Sequence, residues 1–218
     1  MSQKNEPYVP ALRYRWLTRF YDPVVALTTR EQVFRKKLLE LIKCTASDRV
    51  LDLACGTGTF TRMIKNKNPA TTVHGLDGDP EILELARRKA RRENLDICFD
   101  EGMSFSMPYP NNTFDLVVSS LFFHHLTATS KQRTLAEVRR VLIPNGQLRV
   151  CDWGKPANPA LRLTFCLVQV LDGFEVTRDN ALGRLPGFIS DVGFKDVTVV
   201  DRVSTMLGTL DLITANPA

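Results

Sequence analysis

Val50-Leu51-Asp52-Leu53-Ala54-Cys55-Gly56-Thr57-Gly58-Thr59-Phe60, followed by Val73-His74-Gly75-Leu76-Asp77, decides how this chain folds. The first run predicts a short apolar strand with an acid near its end, then a two-glycine turn. A helix follows at once, from about Thr59 to Lys65. The second run is another strand ending in an acid, about twenty residues beyond the glycines, the spacing at which a carboxylate meets a ribose. Together they make a βαβ unit fitted to a nucleoside. Gly56 and Gly58 let backbone approach a ligand where a Cβ would intrude.

Outward from this unit, strand and helix signals alternate. Glu31 to Lys43 is periodic for a helix, with Val33, Phe34, Leu38, Leu41 and Ile42 apolar. Asp79-Pro80-Glu81 reads as an N-cap with proline at the first helical position, opening a helix to about Glu93. Strands are expected at 49–53, 72–77, 96–99, 114–119 and 147–152, and a helix at 130–141 before the turn Pro144-Asn145-Gly146. Beyond the loop Pro156-Ala157-Asn158-Pro159, helices are expected over 160–172 and 180–192, then two strands at 195–200 and 205–213 close enough to pair antiparallel. This alternation predicts a mostly parallel α/β sheet with helices on both faces. Ligands of such sheets bind beyond the carboxyl ends of the strands, where Asp52, Asp77, Ser119 and Asp152 all fall.

Composition narrows the class. The 218 residues suit one sizeable domain, and 44% apolar content is that of a globular protein. The net charge of +5 gathers in Arg35-Lys36-Lys37 and in Arg87-Arg88-Lys89 with Arg91-Arg92. Each cluster lies on an expected helix and reads as a solvated face; a nucleic-acid or anionic-membrane surface is the sharper alternative. The 5 cysteines (Cys44, Cys55, Cys98, Cys151, Cys166) are odd in number, scattered, and without metal spacing, as in a reducing compartment. The N-terminus lacks an apolar signal segment, and Leu161 to Leu171 is too short to span a bilayer. A cytoplasmic protein is expected.

Two cofactors compete for the glycine turn. A dinucleotide needs room for pyrophosphate, usually with a third glycine that here is Thr61, and Asp52 would repel its phosphates. S-adenosylmethionine has no phosphate and carries an ammonium, which an acid favours. The charge argument selects the sulfonium cofactor, and no metal is expected.

Four segments then carry a resemblance: residues 50–58; Gly75-Leu76-Asp77 with Asp79-Pro80; Met107 to Asp115; and Leu135 to Gly146. In order and spacing they resemble the class I S-adenosylmethionine-dependent methyltransferases, in particular the ubiquinone and menaquinone biosynthesis C-methyltransferase group. The resemblance implies a Rossmann-like seven-stranded, mostly parallel sheet with a C-terminal antiparallel hairpin. It implies a single domain: an N-terminal helical lid over 1–45, a cofactor core over 46–152, and acceptor-side helices with the last two strands over 153–218. Asp52, Ala54, Cys55, Gly56 and Gly58 would border the methionine part of the cofactor, Asp77 with Gly78 would hold the ribose, and Ser119 would offer its carbonyl to the ammonium. Met103 and Ser104 would border the adenine; an acid is usual where Met103 stands.

The chemistry of the acceptor side is less determined. Methyl transfer is an in-line displacement that needs positioning and exclusion of water, and a base only where the acceptor must lose a proton. His124 and His125, after the fourth strand, are the candidates for that base; closing the loop by hydrogen bonds is the alternative for each. Tyr21, in Phe20-Tyr21-Asp22-Pro23, is a candidate for the sulfonium and for catalysis, Tyr14 belongs to the same aromatic segment, and Arg30 is a candidate for the cofactor carboxylate. Asp152 reads as a base or as a loop-capping acid, the second being preferred.

The reading that follows is methylation of a small apolar or aromatic acceptor on O, C or N. Phospholipid-headgroup methylation at a membrane surface, prompted by the basic helices and Leu161 to Leu171, is one alternative; a non-catalytic cofactor-binding protein is another. Nucleic acid is not expected as a partner, because Ser119-Ser120-Leu121-Phe122 lacks the prolines that hold a flipped base. The chain is expected to act as a monomer or homodimer.

Overall fold

The computed structural model describes residues 30–217, so Tyr14 and Tyr21 lie outside the described residues. Helix α1 (Glu31–Glu40) buries Phe34 and Leu38, one turn apart on one face. Strand β1 (Arg49–Leu53) runs into the glycine turn, and α2 (Thr59–Lys67) starts directly after Gly58. Strand β2 (Thr72–Asp77) precedes α3 (Pro80–Arg92), capped by the Asp79 carboxylate, which accepts from Glu81 N–H at 2.9 Å with Pro80 at the first position. Strands β3 (Cys98–Glu101) and β4 (Phe114–Ser120) follow, then a 3₁₀ turn (Phe123–His125) and α4 (Ala128–Val141), capped by Thr127. Strand β5 (Leu142–Trp153), helices α5 (Pro159–Asp172), α6 (Phe174–Ala181) and α7 (Leu185–Asp191), and strands β6 (Phe194–Ser204) and β7 (Thr209–Pro217) complete the chain.

The seven strands lie in the order β3-β2-β1-β4-β5-β7-β6. β1 pairs in parallel with β2 and β4, and β4 with β5; β7 is antiparallel to both β5 and β6. The expected closing hairpin is therefore present, with β7 inserted between β5 and β6. Period-2 alternation sends Leu51, Val117, Val150 and Ile213 to one face, packed with α4 and α7, and Val50, Val118, Cys151 and Leu212 to the other. That second face meets Phe34, Phe60 and Phe165 from α1, α2 and α5.

Three expectations are corrected. The helix expected over 180–192 is confined to α7 at 185–191, because Gly183 adopts φ +70° and Pro186 starts afresh in the first turn of α7. Residues 180–181 close the separate helix α6, which begins at Phe174, where no helix was expected. The strand expected at 96–99 runs two residues later, its register set by pairing Leu76 with Asp100 and Asp77 with Glu101. Strand β5 begins at Leu142, so Pro144-Asn145-Gly146 lies within it, at the irregularity between the Phe114 and Leu116 pairings with β4. No helix among the described residues is long and apolar enough to cross a membrane.

Candidate active site

The strand order reverses between β1 and β4, and the crevice of such a sheet opens there, beyond the carboxyl ends. Two non-glycine residues with left-handed backbone flank it: Ala54 (φ 58°) after β1 and Leu121 (φ 54°) after β4. Both turns are held by the sheet. Cys55 N–H donates to Leu76 O at 2.9 Å, and Leu121 N–H to Cys151 O at 2.8 Å. Strain at two adjacent strand ends is the kind that a surrounding fold maintains at a site.

Asp77 organises the cofactor side. Its carboxylate accepts from Gly56 N–H at 2.9 Å and from Asp79 N–H at 3.1 Å, clamping the glycine turn to the end of β2. Burial raises its pKa above the ordinary carboxylate value, and the N–H donors of Gly56, Asp79 and Gly78 oppose the rise. Asp52 lies deeper, 1% exposed, and accepts the Thr61 hydroxyl at 2.6 Å, which ties β1 to α2. Burial raises its pKa from 3.8 to about 6, against that hydrogen bond and the attraction of Arg35.

The two glycines have different reasons. Among the described residues, a Cβ on Gly56 (φ +54°) would meet nothing within 4 Å, so these residues leave space open over the turn. A Cβ on Gly58 (φ +72°) would stand 3.0 Å from both Ala86 Cβ and Phe99 Cζ. Helix–sheet packing and the positive φ therefore each require glycine at position 58.

Other expected cofactor residues fall around the same opening. Ser119 is fully buried, opposite Leu53 in the β1–β4 register, and its hydroxyl donates to Leu53 O at 3.1 Å. Met103 and Ser104 follow β3; the Ser104 hydroxyl pairs with Thr134 Oγ1 of α4 at 2.9 Å. Arg30 stands instead at the edge strand β6, where its Nη1 donates to Ser204 O at 3.3 Å. Arg35 belongs to a run whose sequence predicts a solvated face, but it is turned inward. Its Nη2 pairs with Glu31 at 2.5 Å, while its buried Nε has no acceptor among the described residues. An α-carboxylate would satisfy such an atom. Two acids, open space over Gly56 and an orphaned guanidinium nitrogen fit the ammonium, diol and carboxylate of S-adenosylmethionine.

On the acceptor side, Asp152 at the end of β5 is fully buried. Its Oδ2 accepts from the N–H groups of Phe122 and Phe123 at 3.0 and 2.6 Å, and its Oδ1 from Trp153 N–H at 2.7 Å. His124 Nδ1 lies 2.7 Å from the same Oδ1, and Asn180 Nδ2 donates to it at 3.3 Å. The acid is therefore committed to capping the loop, and it fixes the His124 ring with Nδ1 inward. His124 Nε2 then faces Asp172 Oδ2 at 3.7 Å. Burial raises the Asp172 pKa and the His124 ring opposes it. The His125 ring lies 4.0 Å from the His124 ring, and burial, His124 and Lys131 push its pKa well below 6.5. Asp172, Asn180 and Arg35 are invisible to sequence reasoning, since long-range packing brings each to the site.

Residues 50–146 match the family model described as a methyltransferase domain. Demethylmenaquinone methyltransferase of Thermus thermophilus is 34% identical over 132 residues, 61% of this chain and 59% of that protein. The chain thus spans less than two thirds of that relative. An uncharacterized methyltransferase of Synechocystis is 27% identical over 208 residues, 93% of this chain and 92% of its own length. Among solved structures, an S-adenosylmethionine-dependent methyltransferase from Methanosarcina mazei shares the fold with a TM-score of 0.65 at 21% identity, over 80% of this chain and 94% of that one.

Proposed function

We propose that this chain is a class I S-adenosylmethionine-dependent methyltransferase that methylates a small apolar or aromatic acceptor. The observation that carries the reading is the Asp77 carboxylate clamped on the Gly56 N–H beneath open space, with the orphaned Arg35 Nε offering a donor. When bound, the cofactor supplies a methyl group on a positively charged sulfur. Asp77 accepts the ribose hydroxyls, Asp52 favours the ammonium through its buried charge, and Arg35 takes the carboxylate.

Acceptor orientation is assigned to the loop after β4, which Asp152 holds rigid by its two backbone hydrogen bonds to Phe122 and Phe123. An aromatic acceptor is favoured by the apolar surroundings of β5 and α5, where the Trp153 and Phe165 rings meet edge-on at 5.4 Å. The name demethylmenaquinone methyltransferase, borne by the Thermus thermophilus relative, agrees with a ring acceptor.

Isothermal titration with S-adenosylmethionine and its demethylated product tests the donor half. Binding of both is expected, and D77A should weaken each about tenfold or more through loss of the ribose acceptor. Absence of binding to the intact protein sinks the reading. Product formation from a panel of small hydroquinones and phenols tests the acceptor half.

A further inference from the structure

We propose that His124, His125 and Asp172 bind one divalent transition-metal ion of the zinc type on the acceptor side. One ring nitrogen from each histidine and one Asp172 carboxylate oxygen lie within 4.8 Å of one another. Around zinc, with ligand bonds of about 2.0–2.2 Å, ligand atoms stand about 3–3.5 Å apart. The 3.7 Å from His124 Nε2 to Asp172 Oδ2 is near that value already. Two imidazoles and a carboxylate are a recurrent ligand set for divalent transition metals, leaving further positions for water or an acceptor oxygen.

Three independent features support the site. Asp152 holds His124 through Nδ1 at 2.7 Å, the outer carboxylate that orients a metal-binding imidazole and directs its Nε2 lone pair outward. The Asp172 side chain is 6% exposed, yet no donor among the described residues hydrogen-bonds its carboxylate, and the 3.7 Å approach of His124 is too long for one. Asn180 Oδ1 is also buried without a donor among the described residues, while its Nδ2 is fixed on Asp152 and Trp153 O, so the amide cannot turn to satisfy it. A cation takes the open Asp172 carboxylate, and water bound to that cation supplies the donor that the buried Asn180 Oδ1 lacks. A purely structural ion pair would leave the Asn180 oxygen and the His125 ring unexplained.

The test uses the untagged full chain, stripped with a chelator and desalted. Cobalt(II) titration should give ligand-field absorption bands, zinc(II) should displace them, and mass spectrometry should count about one zinc per chain. D172N and H125Q remove a ligand each while leaving the Asp152–His124 clamp in place, and each should weaken cobalt binding about tenfold or more. Thermal melting and titration with S-adenosylmethionine report whether each variant remains folded. Failure of the stripped protein to take up either metal overturns the site, as does unchanged cobalt affinity in both variants. Metal uptake does not depend on methyl transfer, so loss of cofactor binding with cobalt binding intact would count against the methyltransferase reading alone.

Discussion

Single residues at the glycine turn separate binding from packing. Asp77 and Gly58 lie on the same βαβ unit, yet their substitutions should fail in different ways. D77A removes a carboxylate that organises the turn and faces the cofactor space, so its principal effect is on donor affinity. G58A puts a Cβ 3.0 Å from Ala86 and Phe99 on a backbone at φ +72°. That change should cost about 2–4 kcal/mol of stability. Urea denaturation of the two variants beside wild type measures the difference; equal losses would contradict the division. Gly58 is legible in the sequence from its neighbours Gly56 and Thr59, but its packing partner Phe99 lies on β3, and no local pattern announces that contact. Asp152 shows the opposite case. Its place after a strand already favours a loop-capping role, and the N–H groups of Phe122, Phe123 and Trp153 converge on it with His124 and Asn180.

At the scale of elements, α5 has two faces with opposite consequences. Phe165 is fully buried against Trp153, whereas Leu163, Leu167, Val170 and Leu171 are exposed, Leu171 at 70%. F165A should therefore cost about 3–5 kcal/mol, and L171K should stay within about 0.5 kcal/mol of wild type in the same denaturation assay. Helix α4 contributes a different tie. Lys131 is fully buried, with Nζ donating to Leu126 O at 2.7 Å and Val176 O at 2.9 Å, 3.9 Å from Asp179. It joins the loop after the 3₁₀ turn to α6. K131M withdraws the ammonium from both carbonyls and should destabilise by about 2–4 kcal/mol, read as a lowered melting temperature. Elements with strong local signals are legible: β1, β2 and the Asp79 cap of α3 fall where the sequence puts them. The break between α6 and α7 is not, because apolar periodicity continues across Gly183 and only its positive φ ends the first helix. The basic run on α1 misleads for a related reason. Helical period places Arg35 beside the buried Phe34 and Leu38 face only once α1 is docked on the sheet.

Across the whole molecule, buried ionisable groups set a pH balance that cofactor binding should tip. Asp52 titrates at about 6 in the fold against 3.8 ordinarily, so the native state holds a proton that the unfolded chain has released between those values. Stability contributed this way is present below pH 3.8 and lost as pH rises through about 6. The full penalty above that is about 3 kcal/mol. Asp77, Asp172 and Asp211 are raised by burial as well and act in the same direction. His125 acts oppositely: held neutral in the fold, it costs stability as pH falls below 6.5. Wild-type stability should therefore change less with pH than either contribution alone. D52N removes the Asp52 contribution from this balance and leaves those of Asp77, Asp172 and Asp211. Its advantage over wild type should be near zero at about pH 4 and grow to as much as about 3 kcal/mol at about pH 7, in urea melts without cofactor. Saturating S-adenosylmethionine should shrink that advantage, because the ligand's ammonium offsets the Asp52 charge in wild type and finds no charge in the variant. A gap independent of pH would show that Asp52 is ordered by the Thr61 hydroxyl alone and that its ionisation has no part in holding the donor.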